Sequence, residues 1–165
     1  MILIFILALS YVYSAEPFRL KRFVLIGHAI LATIGMSVFL LGVSLSDGIL
    51  AFSNTDGKLL AAIFIFFFVA SHLKDIKDVS GDSADGVTTI ATLFGADAAY
   101  KVVSASVILM IVAIGAWLNL ALAVVAMSVF SFGALSLVLR DSEKLLLALQ
   151  FSIVLLLGNY IYLQF

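Results

Sequence analysis

The sequence contains no cysteine, which excludes disulfides and thiolate-bound metals. It has one proline, Pro17. That suits long unbroken helices, because proline inside a helix removes a backbone donor and clashes with the preceding turn. Charge is scarce and balanced: charged residues are 12% of the 165 and the net charge is −1. No basic surplus is left to hold nucleic acid. The alternating segments of about ten residues that mark a transmembrane β-barrel do not occur. What fills the chain is apolar side chain, 64% of all residues, against roughly 45–50% in an ordinary soluble domain. A chain this short cannot bury so much apolar surface in a core of its own, and a lipid solvent removes the need. The composition therefore specifies a single all-α domain over 1–165, a polytopic transmembrane helix bundle and integral membrane protein in contact with lipid.

A spanning helix takes about 20 mostly apolar residues. Phe23 to Ser46 is one uncharged run, and Leu59 to Leu73 is a shorter one between Lys58 and Lys74, whose ammonium groups can snorkel to the interfaces. Val102 to Leu139 is uncharged throughout. As one helix it would reach about 57 Å, nearly twice a bilayer core of about 30 Å. It must fold back, and Trp117-Leu118-Asn119 is the predicted hairpin, with tryptophan at the interface. Leu145 to Phe165 is the last span. Met1 to Ala15 is uncharged but short; it lacks the basic start of a signal peptide, and Tyr13 is bulky where cleavage wants a small residue. The count is about six membrane segments, the first partial. Arg19, Lys21 and Arg22, then Lys74, Lys77 and Lys101, then Arg140 and Lys144 fall on alternate loops and make up eight of the nine basic residues. The positive-inside rule puts these three loops in the cytoplasm.

One stretch departs from the apolar background. Lys74 to Gly86 holds Asp75, Asp78, Asp82 and Asp85, four of the ten acidic residues. On a continuous helix, Asp78 lies about 60° and Asp82 about 20° from Asp75, so three carboxylates share one face. Like charges so close repel unless a cation stands between them. Clustered oxygen ligands suit Mg²⁺, which takes one or two carboxylates plus waters and phosphates. Gly81 is the predicted helix break. The competing reading is a solvated loop whose aspartates Lys74 and Lys77 balance. An EF-hand is excluded, since its twelfth position, counted from Asp75, is Gly86 rather than glutamate. A second segment, Tyr13 to Arg22, puts three cations on the same predicted side; beside Mg²⁺-binding carboxylates they would grip a diphosphate, although basic residues flanking a span follow from topology alone. His28 reads as a mid-span residue hydrogen-bonding between helices. His72, three residues before Asp75, is within reach of the acidic segment.

Together the two segments carry a resemblance. Tyr13-Ser14, Pro17 and Arg19-Leu20-Lys21-Arg22 resemble the Y-S-x-x-P-x-R-L-K-R segment of UbiA-type intramembrane prenyltransferases. Lys74 to Gly95 resembles that family's second aspartate-rich motif: Asp75, Asp78, Gly81, Asp82, Gly86, Thr89 and Gly95 fall in step. Ile90 and Ala91 stand where the family usually has leucine and proline. The family's first aspartate-rich motif, N-D-x-x-D-x-x-x-D, has no counterpart; before Asp75 the only acids are Glu16, Asp47 and Asp56. The chain thus resembles the C-terminal part of the family, as a fragment, a truncated product or one piece of a split enzyme.

The resemblance implies Mg²⁺-dependent transfer of a polyprenyl group from its diphosphate to an aromatic or lipid acceptor inside the membrane. It implies Asp75, Asp78 and Asp82 as Mg²⁺ ligands, and Lys21, Arg22 and Lys74 as contacts of the diphosphate. A separate N-terminal half is the implied protein partner. Two alternatives stay open: an inactive truncated membrane subunit, and a small cation-coupled transporter. The transporter would carry charged residues within its spans, and the predicted spans have none.

Overall fold

A computed structural model describes residues 1–46, 56–139 and 142–163, with side chains described at 1–45, 56–134 and 147–163. Arg140 and Asp47 lie outside the described residues, as does the side chain of Lys144. The described residues form eight α-helices and no strand: α1 (Ile2–Ser14), α2 (Val24–Ser46), α3 (Gly57–Asp75), α4 (Val79–Ala84), α5 (Ile90–Phe94), α6 (Ala96–Trp117), α7 (Leu122–Leu139) and α8 (Ser142–Tyr162). A single 3-10 turn, Leu20–Arg22, joins α1 to α2. Val24–Leu45, Gly57–Asp75 and Ala96–Trp117 are long and apolar enough to cross a membrane; Ile2–Ser14, Leu122–Ala134 and Leu147–Tyr162 are shorter apolar helices. These three long and three shorter apolar helices follow the order of the apolar segments in the sequence.

Helix α3 lies at the centre, packed on α2, α6 and α8. Its buried residues Leu59, Ala62, Ile63, Phe66, Ala70 and Leu73 recur at three- and four-residue steps and form one stripe. Val103, Val107, Met110, Ile111 and Ile114 of α6 meet it, with Leu149, Ile153 and Leu156 of α8. The outer faces are apolar too: Leu109 is 70% exposed, Phe130 76% and Val154 67%. Such side chains are tolerable only where the surroundings are lipid. Within the bundle, polar atoms join α7 to α8. Ser128 Oγ shares its proton between the Val124 carbonyl at 2.9 Å and the Ser152 carbonyl at 3.3 Å, and Ser152 Oγ between the Ala148 carbonyl at 2.9 Å and the Ser128 carbonyl at 3.1 Å. Both serines are fully buried, where interhelical hydrogen bonds replace the missing water.

The fold-back occurs where the sequence placed it. Helix α6 ends at Trp117, and Asn119 takes a left-handed φ of 53°, which asparagine tolerates better than most residues. Leu120 N–H then bonds the Gly115 carbonyl at 2.9 Å and Asn119 N–H the Ala116 carbonyl at 3.2 Å. This pair is a Schellman cap, which satisfies carbonyls a helix end leaves open. At the far side of the run the sequence reading needs correction. Helix α6 starts at Ala96 rather than Val102, so Lys101 lies in the helix rather than the acidic loop. Asp97 sits in its first turn, where the helix dipole favours an anion.

Candidate functional site

The acidic segment is a helix end, a turn and a short helix. Helix α3 stops at Asp75, and Asp78 is the N-cap of α4. The continuous helix assumed from the sequence is therefore broken at 76–78, while Gly81, the predicted break, lies inside α4. Asp82 N–H bonds the Asp78 carbonyl at 2.8 Å, which sets these two aspartates one turn apart. Asp75 and Asp78 still act on Asp82. Burial, then the negative charges of Asp75 and Asp78, push the Asp82 carboxyl above its ordinary range, and Lys21 and Lys74 oppose them.

Beyond the aspartates, the remaining residues of the motif build the return path to α6. Gly86 and Gly95 have φ of 67° and 84°, conformations glycine adopts at no steric cost. Between them Thr89 is buried and caps α5: Thr92 N–H donates to Thr89 Oγ1 at 3.1 Å, and Thr89 N–H to Thr92 Oγ1 at 2.8 Å. Ala91, in the usual proline position, is buried within α5. Its own N–H lies in the first turn, where a helix donor has no intrahelical partner, so either proline or alanine fits this position without loss of a ladder bond.

The basic segment packs against the acidic one. Arg19 donates to Asp85 Oδ2 at 2.9 Å and Lys21 to the same oxygen at 3.2 Å. Lys21, through its hydrogen bond and its charge, and then Arg19, hold the Asp85 carboxyl below the usual carboxylate range. Arg19 makes this contact from a left-handed backbone, φ 38°, an uncommon state for a residue with a side chain. Arg22 turns away to Glu16 Oε1, at 3.1 Å. Of the three cations the resemblance implies for a diphosphate, Lys21 thus lies against the acidic loop and Lys74 borders it, while Arg22 pairs within its own segment.

A histidine pair completes the site. His28 is in the second turn of α2, near its start at Val24, and not in mid-span. It does hydrogen-bond between helices: His28 Nε2 lies 2.8 Å from Asp75 Oδ2, and Nδ1 bonds the Val24 carbonyl. The His72 ring lies against it, tilted by 37° with centroids 3.7 Å apart, and His72 Nδ1 is 3.0 Å from the Phe68 carbonyl. Sequence reasoning missed the partners Asp85 and Arg19 and the 28–75 contact. Arg19 stood within the matched segment and was legible; the contact between His28 and Asp75 spans 47 residues, and no local pattern encodes it.

Among the described residues no three His, Cys, Asp or Glu side chains form a ready-made metal cage. The donor set nevertheless fits Mg²⁺. It is all hard oxygen, Asp75 and Asp78 place negative charge near Asp82, and Mg²⁺ needs only one or two carboxylates beside waters and phosphate.

The match to known proteins agrees with this arrangement: the UbiA prenyltransferase family covers residues 1–158. The chain belongs to the UbiA prenyltransferase family. Comparison with curated proteins and with solved structures yields no match. Membership places the chain among membrane prenyltransferases, and the two loops that carry the family's sequence signature are the two that meet at Asp85.

Proposed function

We propose that this UbiA-family chain forms the diphosphate-binding end of an enzyme that transfers a polyprenyl group to an aromatic or lipid acceptor. The observation that carries the reading is the meeting of the basic segment, through Arg19 and Lys21, with the aspartate loop at Asp85. Anion-binding and cation-binding groups at one place are what a metal diphosphate requires. Asp75, Asp78 and Asp82 would hold Mg²⁺. When bound, the ion supplies charge neutralisation for the leaving group. Lys21 and Lys74 contact the diphosphate, and Arg22 reaches it by leaving Glu16. These cations favour ionisation, in which the allylic C–O bond breaks and the diphosphate keeps the electron pair. The acceptor carbon or oxygen then bonds the prenyl carbon and loses a proton. The site lies on the cytoplasmic side, on the distribution of basic residues.

The 165 residues carry one of the family's two acidic motifs. We therefore assign activity to this chain together with a segment bearing the other. Half a clamp forfeits several kcal/mol of transition-state stabilisation, at about 1.36 kcal/mol per tenfold in rate. The test is radiolabelled-prenyl transfer on membranes, with Mg²⁺ and a panel of aromatic and lipid acceptors. The chain alone should be inactive, and co-expression with a segment carrying the first motif and its spans should give turnover, since separately inserted helices can assemble. Asp75→Ala or Asp78→Ala should then abolish it. Robust turnover by the chain alone refutes the need for a partner. An inactive combination favours the alternative of a non-catalytic subunit.

A further inference from the structure

Asp75 occupies an electrostatically poor position. It is the last residue of α3, where the helix dipole presents its negative end and disfavours a carboxylate. Lys74 next to it provides positive charge, but the polar contact recorded for the Asp75 carboxylate is made from another helix. His28 Nε2 approaches Oδ2 at 2.8 Å, with the imidazole 7% exposed and the carboxylate 19%.

The His28 ring is fixed from three directions. Nδ1–H donates back to the Val24 carbonyl, so it is the imidazolium, with a proton on each ring nitrogen, that donates from Nε2 to Asp75. One face lies on His72, with ring centroids 3.7 Å apart. Phe68 meets it at 6.3 Å with an interplanar angle of 69°. His72 is itself tethered to the Phe68 carbonyl at 3.0 Å. A ring held this way has one polar direction left, and it points Nε2 at Asp75.

We infer that His28 is a positioning residue that fixes the orientation of the Asp75 carboxylate for binding a divalent cation, with His72 supporting its ring. The inference rests on the assignment of Asp75 as a metal ligand. Partners that orient ligands in this way typically contribute tenfold to a hundredfold in metal affinity. The contact joins α2 to the end of α3, so it also ties the helix after the basic segment to the helix before the acidic loop.

The test measures the metal alone. The full 165-residue chain in nanodiscs is titrated with Mn²⁺, as a spectroscopic substitute for Mg²⁺, and free Mn²⁺ is read by electron paramagnetic resonance. His28→Leu should weaken binding by about tenfold to a hundredfold. His28→Gln, whose amide can place a donor near the position of Nε2, should recover most of that loss. In an Asp75→Ala background, His28→Leu should cause no further loss, because the ligand it orients is gone. Circular dichroism establishes that each variant keeps its helices. If folded His28→Leu binds Mn²⁺ as the native chain does, or weakens binding equally with and without Asp75, the positioning role is wrong while the metal site stands. If the native chain binds no Mn²⁺, the ligand assignment and the positioning role fall together.

Discussion

The turn between α6 and α7 allows a perturbation whose size can be worked from distances. Gly115 lies in the last turn of α6 and faces Val125 of α7. A Cβ added at Gly115 would stand 2.3 Å from Val125 Cγ2, 3.2 Å from Cγ1 and 3.3 Å from Cβ. Carbon atoms in good contact are about 3.5–4.0 Å apart, so Gly115→Ala overlaps one methyl by more than an ångström. Valine in a helix strongly prefers one χ1 rotamer, and rotating the methyl away carries its own cost. Backbone separation cannot relieve the clash freely either, because Gly115 also supplies the carbonyl that caps α6 through Leu120. The expected loss is about 1–3 kcal/mol, the usual range for overpacking. Val125→Ala removes both γ-methyls, including the nearest atom, and leaves Val125 Cβ at 3.3 Å. The double variant should therefore be destabilised much less than the sum of the singles, with a coupling of about 1–3 kcal/mol. Reversible unfolding in mixed micelles with increasing dodecyl sulfate, followed by far-ultraviolet circular dichroism, measures all four proteins. The reasoning is refuted if Gly115→Ala unfolds with the native chain, or if it costs as much in the Val125→Ala background as in the native one.

Other outcomes follow from named contacts. Asp85→Asn should free Arg19 and Lys21, so trypsin should cut after them faster than in the native chain in detergent; equal rates would show that the clamp does not order the basic segment. The same clamp should depend on pH with a definite sign. Because the folded Asp85 carboxyl is held below its ordinary range, its contribution is present above that range and is lost as pH falls through the lowered folded value, so protease protection should fade in acid and not in base. Ser128→Ala and Ser152→Ala together remove two reciprocal interhelical bonds, and by the average for such bonds in membranes should cost about 1.2 kcal/mol in the same unfolding assay; no change would mean that the serines serve packing alone. Ser83→Cys should resist an impermeant maleimide in intact cells and react after permeabilisation. Labelling from outside would overturn the cytoplasmic assignment of the acidic loop.

Several features were fixed by local rules, and the sequence alone carried them. The membrane solvent follows from composition, because no arrangement of 64% apolar residues in a chain this short hides them from water. The hairpin at 117–119 follows from length, since the run of 38 uncharged residues from Val102 to Leu139 exceeds any bilayer. The aspartate spacing and the Arg19-Leu20-Lys21-Arg22 segment identified the family, because spacing along the chain is what a motif records. Tertiary structure decided the rest. The 100° rule projected Asp75, Asp78 and Asp82 onto one face, but it holds only while a helix continues, and this one ends at Asp75. Helix α6 begins ahead of the uncharged run, at Ala96, because Asp97 in a first turn is favoured by the dipole. Asp85 looked peripheral to the motif and is the residue on which Arg19 and Lys21 converge. His28 looked like a mid-span residue and sits beside Asp75, because the packing of α2 on α3 brings together positions 47 residues apart, and pairings at that separation leave no trace in periodicity or spacing.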